Sequence, residues 1–243
     1  MKLLLLSNST NNGSQYLAHA WSAVEDTING VSKLLFVPYA SAHHDQYTAT
    51  VREAFAEHGI SVRGLHEFSD QAGAIEDAAA VFVGGGNTFR LLAALQRGGL
   101  IAPLRGLVTS GRTYMGASAG TNMAAPTLKT TNDMPIVQPA DFEALALVPF
   151  QINCHYLDAD PTSKHAGETR ELRLREYLEE NEMPVLALRE GTYLRVDTAD
   201  ASGTVSAHLG GTAVGPAKGP AVLFRRKAEP AEVSGDVSEL FVK

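Results

Sequence analysis

The chain has 243 residues, 44% of them hydrophobic and 19% charged, with a formal net charge of -7. That balance suits one globular domain with a sizeable core and leaves no basic face to follow a nucleic-acid backbone. One cysteine, Cys154, excludes an intrachain disulfide and fits a reducing compartment.

"MKLLLLSNST" has too short an apolar run for a signal peptide, and no stretch reaches the length of a membrane span, so a cytoplasmic protein without a membrane partner is expected. Within it, Lys2 to Leu6 is an apolar run closed by turn residues and predicts a buried strand. Ser14 to Ile28 carries apolar residues at helical spacing. "KLLFVPY" (Lys33 to Tyr39) predicts a second strand, with a helix near Asp45 to His58. "SVRGLHEF" predicts a third strand, and "AAVFVGGG" (Ala79 to Gly86) a fourth that runs into a glycine cluster. "TFRLLAALQ" returns to helical spacing, and "RTYMGASA" predicts a fifth strand. Apolar strands alternating with helices imply a doubly wound, mostly parallel α/β sheet in three layers. Past Pro184 come short strands between turns, "VLALRE", "TYLRV", "TVSAHLG" and "AVLFRR". They predict an antiparallel C-terminal extension of the same sheet, within a single domain over residues 1–243.

"GASAGTNM" (Gly116 to Met123) sets Ser118 between two glycines at G-x-S-x-G spacing. A serine becomes a useful nucleophile when a strand-to-helix turn exposes its Oγ and a base removes its proton. Small flanking residues let the chain turn, and the first helical amide, that of Ala119, faces the reacting carbonyl. A small-residue packing turn is the plainer reading of the same string. "VGGGNTF" sits at the carboxyl end of another strand, where ligands bind in such sheets, so the Gly86 amide could join that of Ala119 in an oxyanion hole. Of eight histidines, His155 in "FQINCHYLDAD" ends an apolar run on the same edge. A lone histidine is more often structural than catalytic. The pair His43 and His44 is a weak metal pattern, and the sequence points to no metal and no cofactor.

The ordered set "LLLSNST", "VGGGNTF", "GASAGTNM", "TTNDMPIV", "QINCHY" and "HAGETRE" resembles the peptidase E family of α-aspartyl dipeptidases. The resemblance runs through most of the chain and is weakest after about Val196. It implies a serine hydrolase of three-layer α/β/α fold that cleaves small peptides beginning with aspartate. Carried over, it makes Ser118 the nucleophile, His155 the base, and Gly86 and Ala119 the oxyanion hole. It makes Arg170, in "GETRE", the receptor for the substrate's aspartyl carboxylate. Without the resemblance, Arg170 reads as a solvated helix arginine in an i,i+4 ion pair. His165, just upstream, is a further substrate-binding candidate. Cys154 stands where the family pattern has proline, and Leu172 where it has a polar residue.

Two carboxylates compete to orient His155. Asp133 lies in "TTNDMPIV", where an Asx turn or cap is its ordinary role. Glu190, in "LREGTY", ends an apolar strand at the catalytic edge. The elbow also fits a hydrolase of β-aspartyl bonds, similar to cyanophycinase, and the fold fits a non-catalytic binding protein. A class I glutaminase is disfavoured, because the elbow holds serine and Leu157 stands two residues after His155. A homodimer is the default assembly expected of a soluble enzyme.

Overall fold

The structure, a computed structural model, describes residues 1–159, 167–198, 204–215, 217 and 219–242. Its first half alternates strand and helix: β1 (Lys2–Leu6), α1 (Trp21–Thr27), β2 (Lys33–Val37), α2 (His44–Ala56), β3 (Ser61–Gly64), α3 (Gln71–Asp77), β4 (Ala80–Val83), α4 (Thr88–Arg97), α5 (Ile101–Thr109), β5 (Thr113–Ala117) and the one-turn α6 (Ala119–Asn122). A long loop leads to β6 (Gln151–Tyr156) and α7 (Arg170–Glu180). The chain continues through β7 (Val185–Arg189), β8 (Thr192–Thr198), β9 (Val205–Gly211), β10 (Ala221–Phe224), β11 (Ala231–Val233) and β12 (Gly235–Asp236).

The main sheet has the order β12-β9-β8-β1-β5-β4-β2-β3. The five strands from β1 to β3 in that order run parallel, and β8, β9 and β12 extend them antiparallel. Alternation along β1 explains the layering, since successive strand residues face opposite sides. Leu4 and Leu6 join Val24 of α1 and Phe55 of α2 in one buried cluster. Leu3 and Leu5 join Ile75, Leu91 and Leu104 of α3, α4 and α5 in the other. Both faces of the parallel strands are therefore covered, which is why they read as continuous apolar runs. Among the described residues, no single helix is long and apolar enough to cross a membrane.

The expected single extended sheet is corrected in one respect. "VLALRE" and "AVLFRR" leave the main sheet and form, with β6 and β11, a second sheet of order β11-β10-β7-β6. Here β7 runs parallel to β6. All five residues of β7 are buried: Leu186 and Leu188 face the main core, while Val185 and Ala187 lie under Leu174 and Leu178 of α7. A strand covered on both sides reads as an unbroken apolar run, and "VLAL" carries that mark. Elsewhere the expected helix from Ser14 becomes regular only at Trp21. The third strand ends at Gly64, and Leu65–Glu67 form a 3₁₀ turn. Helices α3 and α5 add to the set expected from the sequence.

Candidate active site

The carboxyl ends of β1, β4, β5, β6 and β7 converge on Ser118. Ser118 follows β5 and precedes α6 with φ 51° and ψ -108°, a region that costs a non-glycine residue about 1–3 kcal/mol. The flanking glycines answer a steric demand. A Cβ on Gly116 would stand 2.5 Å from the Gly120 carbonyl oxygen, and one on Gly120 would overlap the Val83 carbonyl. Three hydrogen bonds hold the bend: Ser118 N to Leu6 O at 3.0 Å, Thr121 Oγ1 to Leu6 O at 2.7 Å and Tyr114 Oη to Gly120 O at 2.6 Å.

His155 is also bent out of regular strand geometry. Its φ is 55°, and the β6–β7 register shifts between Asn153 and Tyr156. Such a bulge re-aims a side chain. Ser7, at the end of β1, secures it: Ser7 Oγ accepts the His155 amide at 2.9 Å and donates to Leu188 O at 3.0 Å. The imidazole then spans two partners. Its Nε2 is 2.8 Å from Ser118 Oγ, and its Nδ1 is 2.8 Å from Glu190 Oε1. Glu190 sits in the turn from β7 to β8, where Gly191 has φ 84° and gives its amide to Asn8 Oδ1 at 2.7 Å.

Of the two candidate carboxylates, the fold brings Glu190 to His155 and takes Asp133 elsewhere. Asp133 Oδ2 accepts the Thr88 amide at 2.7 Å and the Thr88 hydroxyl at 2.5 Å, at the start of α4. A carboxylate there meets unpaired amides and the positive end of the helix dipole. Asn132 Nδ2 reaches Cys154 O at 2.7 Å, and Asn87 Nδ2 reaches Met134 O at 2.8 Å. "TTNDM" is thus a strap tied to both α4 and β6.

Gly86 has φ 133°, and a Cβ there would stand 2.6 Å from the Ala40 carbonyl oxygen. Among the described residues the amides of Gly86 and Ala119 make no hydrogen bond. They remain available to a developing oxyanion.

A serine, a histidine and a carboxylate in this arrangement can activate the hydroxyl for attack on an acyl carbon, the imidazole taking the serine proton and passing it to the leaving group. The family model described as peptidase family S51 matches residues 3–203. This chain belongs to peptidase family S51. It is 57% identical over 242 residues to "Peptidase E" of Streptomyces coelicolor, covering 99% of this chain and 95% of the relative. It is 53% identical over 197 residues to a Drosophila melanogaster protein named "Probable alpha-aspartyl dipeptidase", covering 80% and 82%. A crystal structure of a peptidase from an acI-B1 actinobacterium has the same fold at 15% identity, with a TM-score of 0.66 over 97% of this chain and 96% of that one.

Membership makes this S51 chain a serine peptidase, so its remaining candidates can be read as parts of a peptidase site. Arg170 is the first residue of α7, half-buried behind the cap in which Thr169 Oγ1 accepts the Leu172 amide at 3.1 Å. Its neighbours are paired, Arg173 with Glu168 at 2.5 Å and Arg175 with Glu171 at 2.9 Å, whereas Arg170 has no ion pair among the described residues. Burial and the nearby Arg173 push its pKa down, and Asp133 acts weakly the other way. His165 lies outside the described residues. Cys154 is buried, with its Sγ 3.5 Å from Ser118 O. Burial pushes its thiol pKa up, which disfavours a competing thiolate nucleophile. Leu172 is 47% exposed.

Three supports are absent from the sequence reading. Ser7 and Asn8 lie in the quoted "LLLSNST", but only the fold shows that they anchor His155 and the Glu190 turn. Arg189, 2% exposed, uses all five donors: two to Asp158, two to Glu232 and one to Gly219 O, at 2.7 to 2.8 Å. The hydrogen bonds to Glu232 and Asp158 raise its pKa against the opposing effect of burial.

Proposed function

We propose that this S51 peptidase is an aspartyl dipeptidase that hydrolyses Asp-Xaa through a Ser118–His155–Glu190 triad and an acyl-enzyme. The observation that carries this reading is the pair of 2.8 Å contacts from one imidazole, Nε2 to Ser118 Oγ and Nδ1 to Glu190 Oε1. His155 Nε2 takes the Ser118 proton as Oγ attacks the scissile carbonyl carbon. Glu190 accepts the Nδ1–H bond and stabilises the imidazolium. The carbonyl oxygen becomes an oxyanion held by the amides of Gly86 and Ala119. Collapse breaks the C–N bond, and His155 returns its proton to the leaving amine. A water then loses a proton to His155, attacks the ester, and releases aspartate with Ser118 restored.

The names of the S. coelicolor and D. melanogaster relatives support the dipeptidase and aspartyl assignments. The half-buried Arg170, without an ion pair among the described residues, supports an anionic first residue, since a guanidinium grips a carboxylate through two donors. Steady-state hydrolysis of Asp-Leu, Glu-Leu, Asn-Leu and Ala-Leu tests the substrate, with Asp-Leu expected to dominate. Mass spectrometry of a rapidly quenched reaction tests the intermediate, an aspartyl ester on the peptide containing Ser118. Equal turnover of all four dipeptides, or no ester under burst conditions, would count against the respective half.

A further inference from the structure

The Gly86 amide belongs to the loop after β4, and its direction is set by the hydrogen bonds on either side of it. Gly84 N donates to Val37 O at 3.1 Å, in continuation of the sheet. Gly85 then leaves the backbone ladder, and its amide donates to Tyr47 Oη at 2.9 Å. Asn87 N returns to the backbone at Ala40 O, at 3.0 Å. The free N–H of Gly86 therefore lies between two anchors, and one of them is a side chain. The loop is tight against the nucleophile: a Cβ on Gly85 would stand 3.2 Å from Ser118 Cβ. A small rotation of the Gly85–Gly86 peptide would swing the Gly86 hydrogen away from the reacting carbonyl.

Tyr47 is built to hold that position. It lies in α2, its ring edge-on to Phe36 with centroids 5.0 Å apart and an interplanar angle of 86°. Its hydroxyl is 3.5 Å from that of Tyr16, and either can be the donor. Burial pushes the Tyr47 phenol pKa up, which favours the neutral hydroxyl.

We propose that Tyr47 is a positioning residue for the oxyanion hole, fixing the Gly86 N–H through its hydrogen bond to the Gly85 amide. The proposal rests on the reading of Gly86 as an oxyanion donor. An oxyanion forms only in the transition state, so loss of Tyr47 Oη should lower kcat and spare ground-state binding.

The test compares Tyr47→Phe, which keeps the ring, with the wild type on Asp-Leu. Removing a whole oxyanion donor costs about 10²- to 10³-fold, so a misaimed one should cost about 10- to 100-fold in kcat. KM should stay within about twofold. A boronic-acid analogue of aspartate, whose adduct puts an oxygen in the hole, should lose affinity by the same factor as kcat/KM. Merely structural damage would instead change KM as well and lower the melting temperature. Wild-type kcat in Tyr47→Phe, or a loss confined to KM, overturns the proposal. Ser118→Ala runs in parallel: activity there refutes the nucleophile reading, whereas an inactive Ser118→Ala beside a wild-type-like Tyr47→Phe refutes only the role of Tyr47. Should Tyr47→Phe not fold, Tyr47→Met, which also removes the hydroxyl, takes its place with the same readouts, and wild-type kcat there overturns the proposal.

Discussion

Ser118 and His155 share a backbone anomaly. Both are non-glycine residues at positive φ, 51° and 55°, and their side chains meet at 2.8 Å. Neither conformation is the relaxed choice of its own residue. Each is held by the end of β1, Ser118 through Leu6 O and His155 through Ser7 Oγ. Ser7→Ala should therefore keep the fold but loosen the imidazole.

Ser118→Ala should fold and lose nearly all hydrolysis, leaving roughly 10³-fold over water from the hole and binding. His155→Ala should fail to a similar degree, since Ser118 then has no base. The double variant should be no worse than either single one, because the two groups act as a unit. Measured kcat/KM values that multiply in the double variant would break the shared mechanism.

Glu190→Gln and Asp133→Asn should differ in kind. The first leaves an amide facing His155 Nδ1 and should cost about 10⁴-fold in kcat. The second keeps an oxygen for the Thr88 amide and removes a charge at the start of α4. It should cost about 1 kcal/mol of stability and less than about tenfold in kcat. Paired kcat measurements and urea melts decide, and the reverse ranking would return Asp133 to the triad.

Arg170→Met should collapse the preference for Asp-Leu over Asn-Leu, two substrates of nearly equal shape that differ in charge. An unpaired cation facing a neutral side chain rejects it strongly, so the wild-type ratio should be large. Arg170→Lys should rescue in part, since an ammonium cannot reproduce the two-pronged grip. The check is kcat/KM for both dipeptides in all three proteins, and an unchanged ratio in Arg170→Met would make Arg170 an ordinary helix arginine.

Arg189→Met should be among the most destabilising single changes outside the apolar core. It strips Asp158 and Glu232 of a shared partner and leaves Gly219 O without its donor. Both carboxylates remain 40% to 49% exposed, so water softens the loss to about 2–4 kcal/mol, somewhat under that of a fully buried pair. A shift in the urea midpoint measures it. A shift under about 1 kcal/mol would mean that solvent already satisfies both carboxylates.

The parallel half of the fold was legible because buried strands and amphipathic helices differ in period, as "KLLLL" and "TFRLLAALQR" do. The second sheet was not, because an apolar run such as "VLAL" states that a strand is buried and not which partner covers it. The tight turn at Ser118 was legible from its glycines, whose small size the Gly120–Val83 approach demands. The contact of His155 with Glu190 and not Asp133 was not, since it depends on where β7 ends relative to the register shift before Tyr156. Tyr47 was invisible for the same reason: its hydroxyl acts on an amide 38 residues away, and no local pattern marks it.

The end of β1 has a consequence for how activity arises during synthesis. Leu6 O waits for Thr121, 115 positions later; Ser7 waits for His155 and Leu188, 148 and 181 positions later; Asn8 waits for Gly191, 183 positions later. Contacts this distant in sequence form late, because their loop-closure entropy is met only near the end of folding. A growing chain that displays the serine elbow alone has neither His155 nor Glu190 beside it. On the proposed triad, hydrolysis is withheld until the chain has been made at least to the turn after β7.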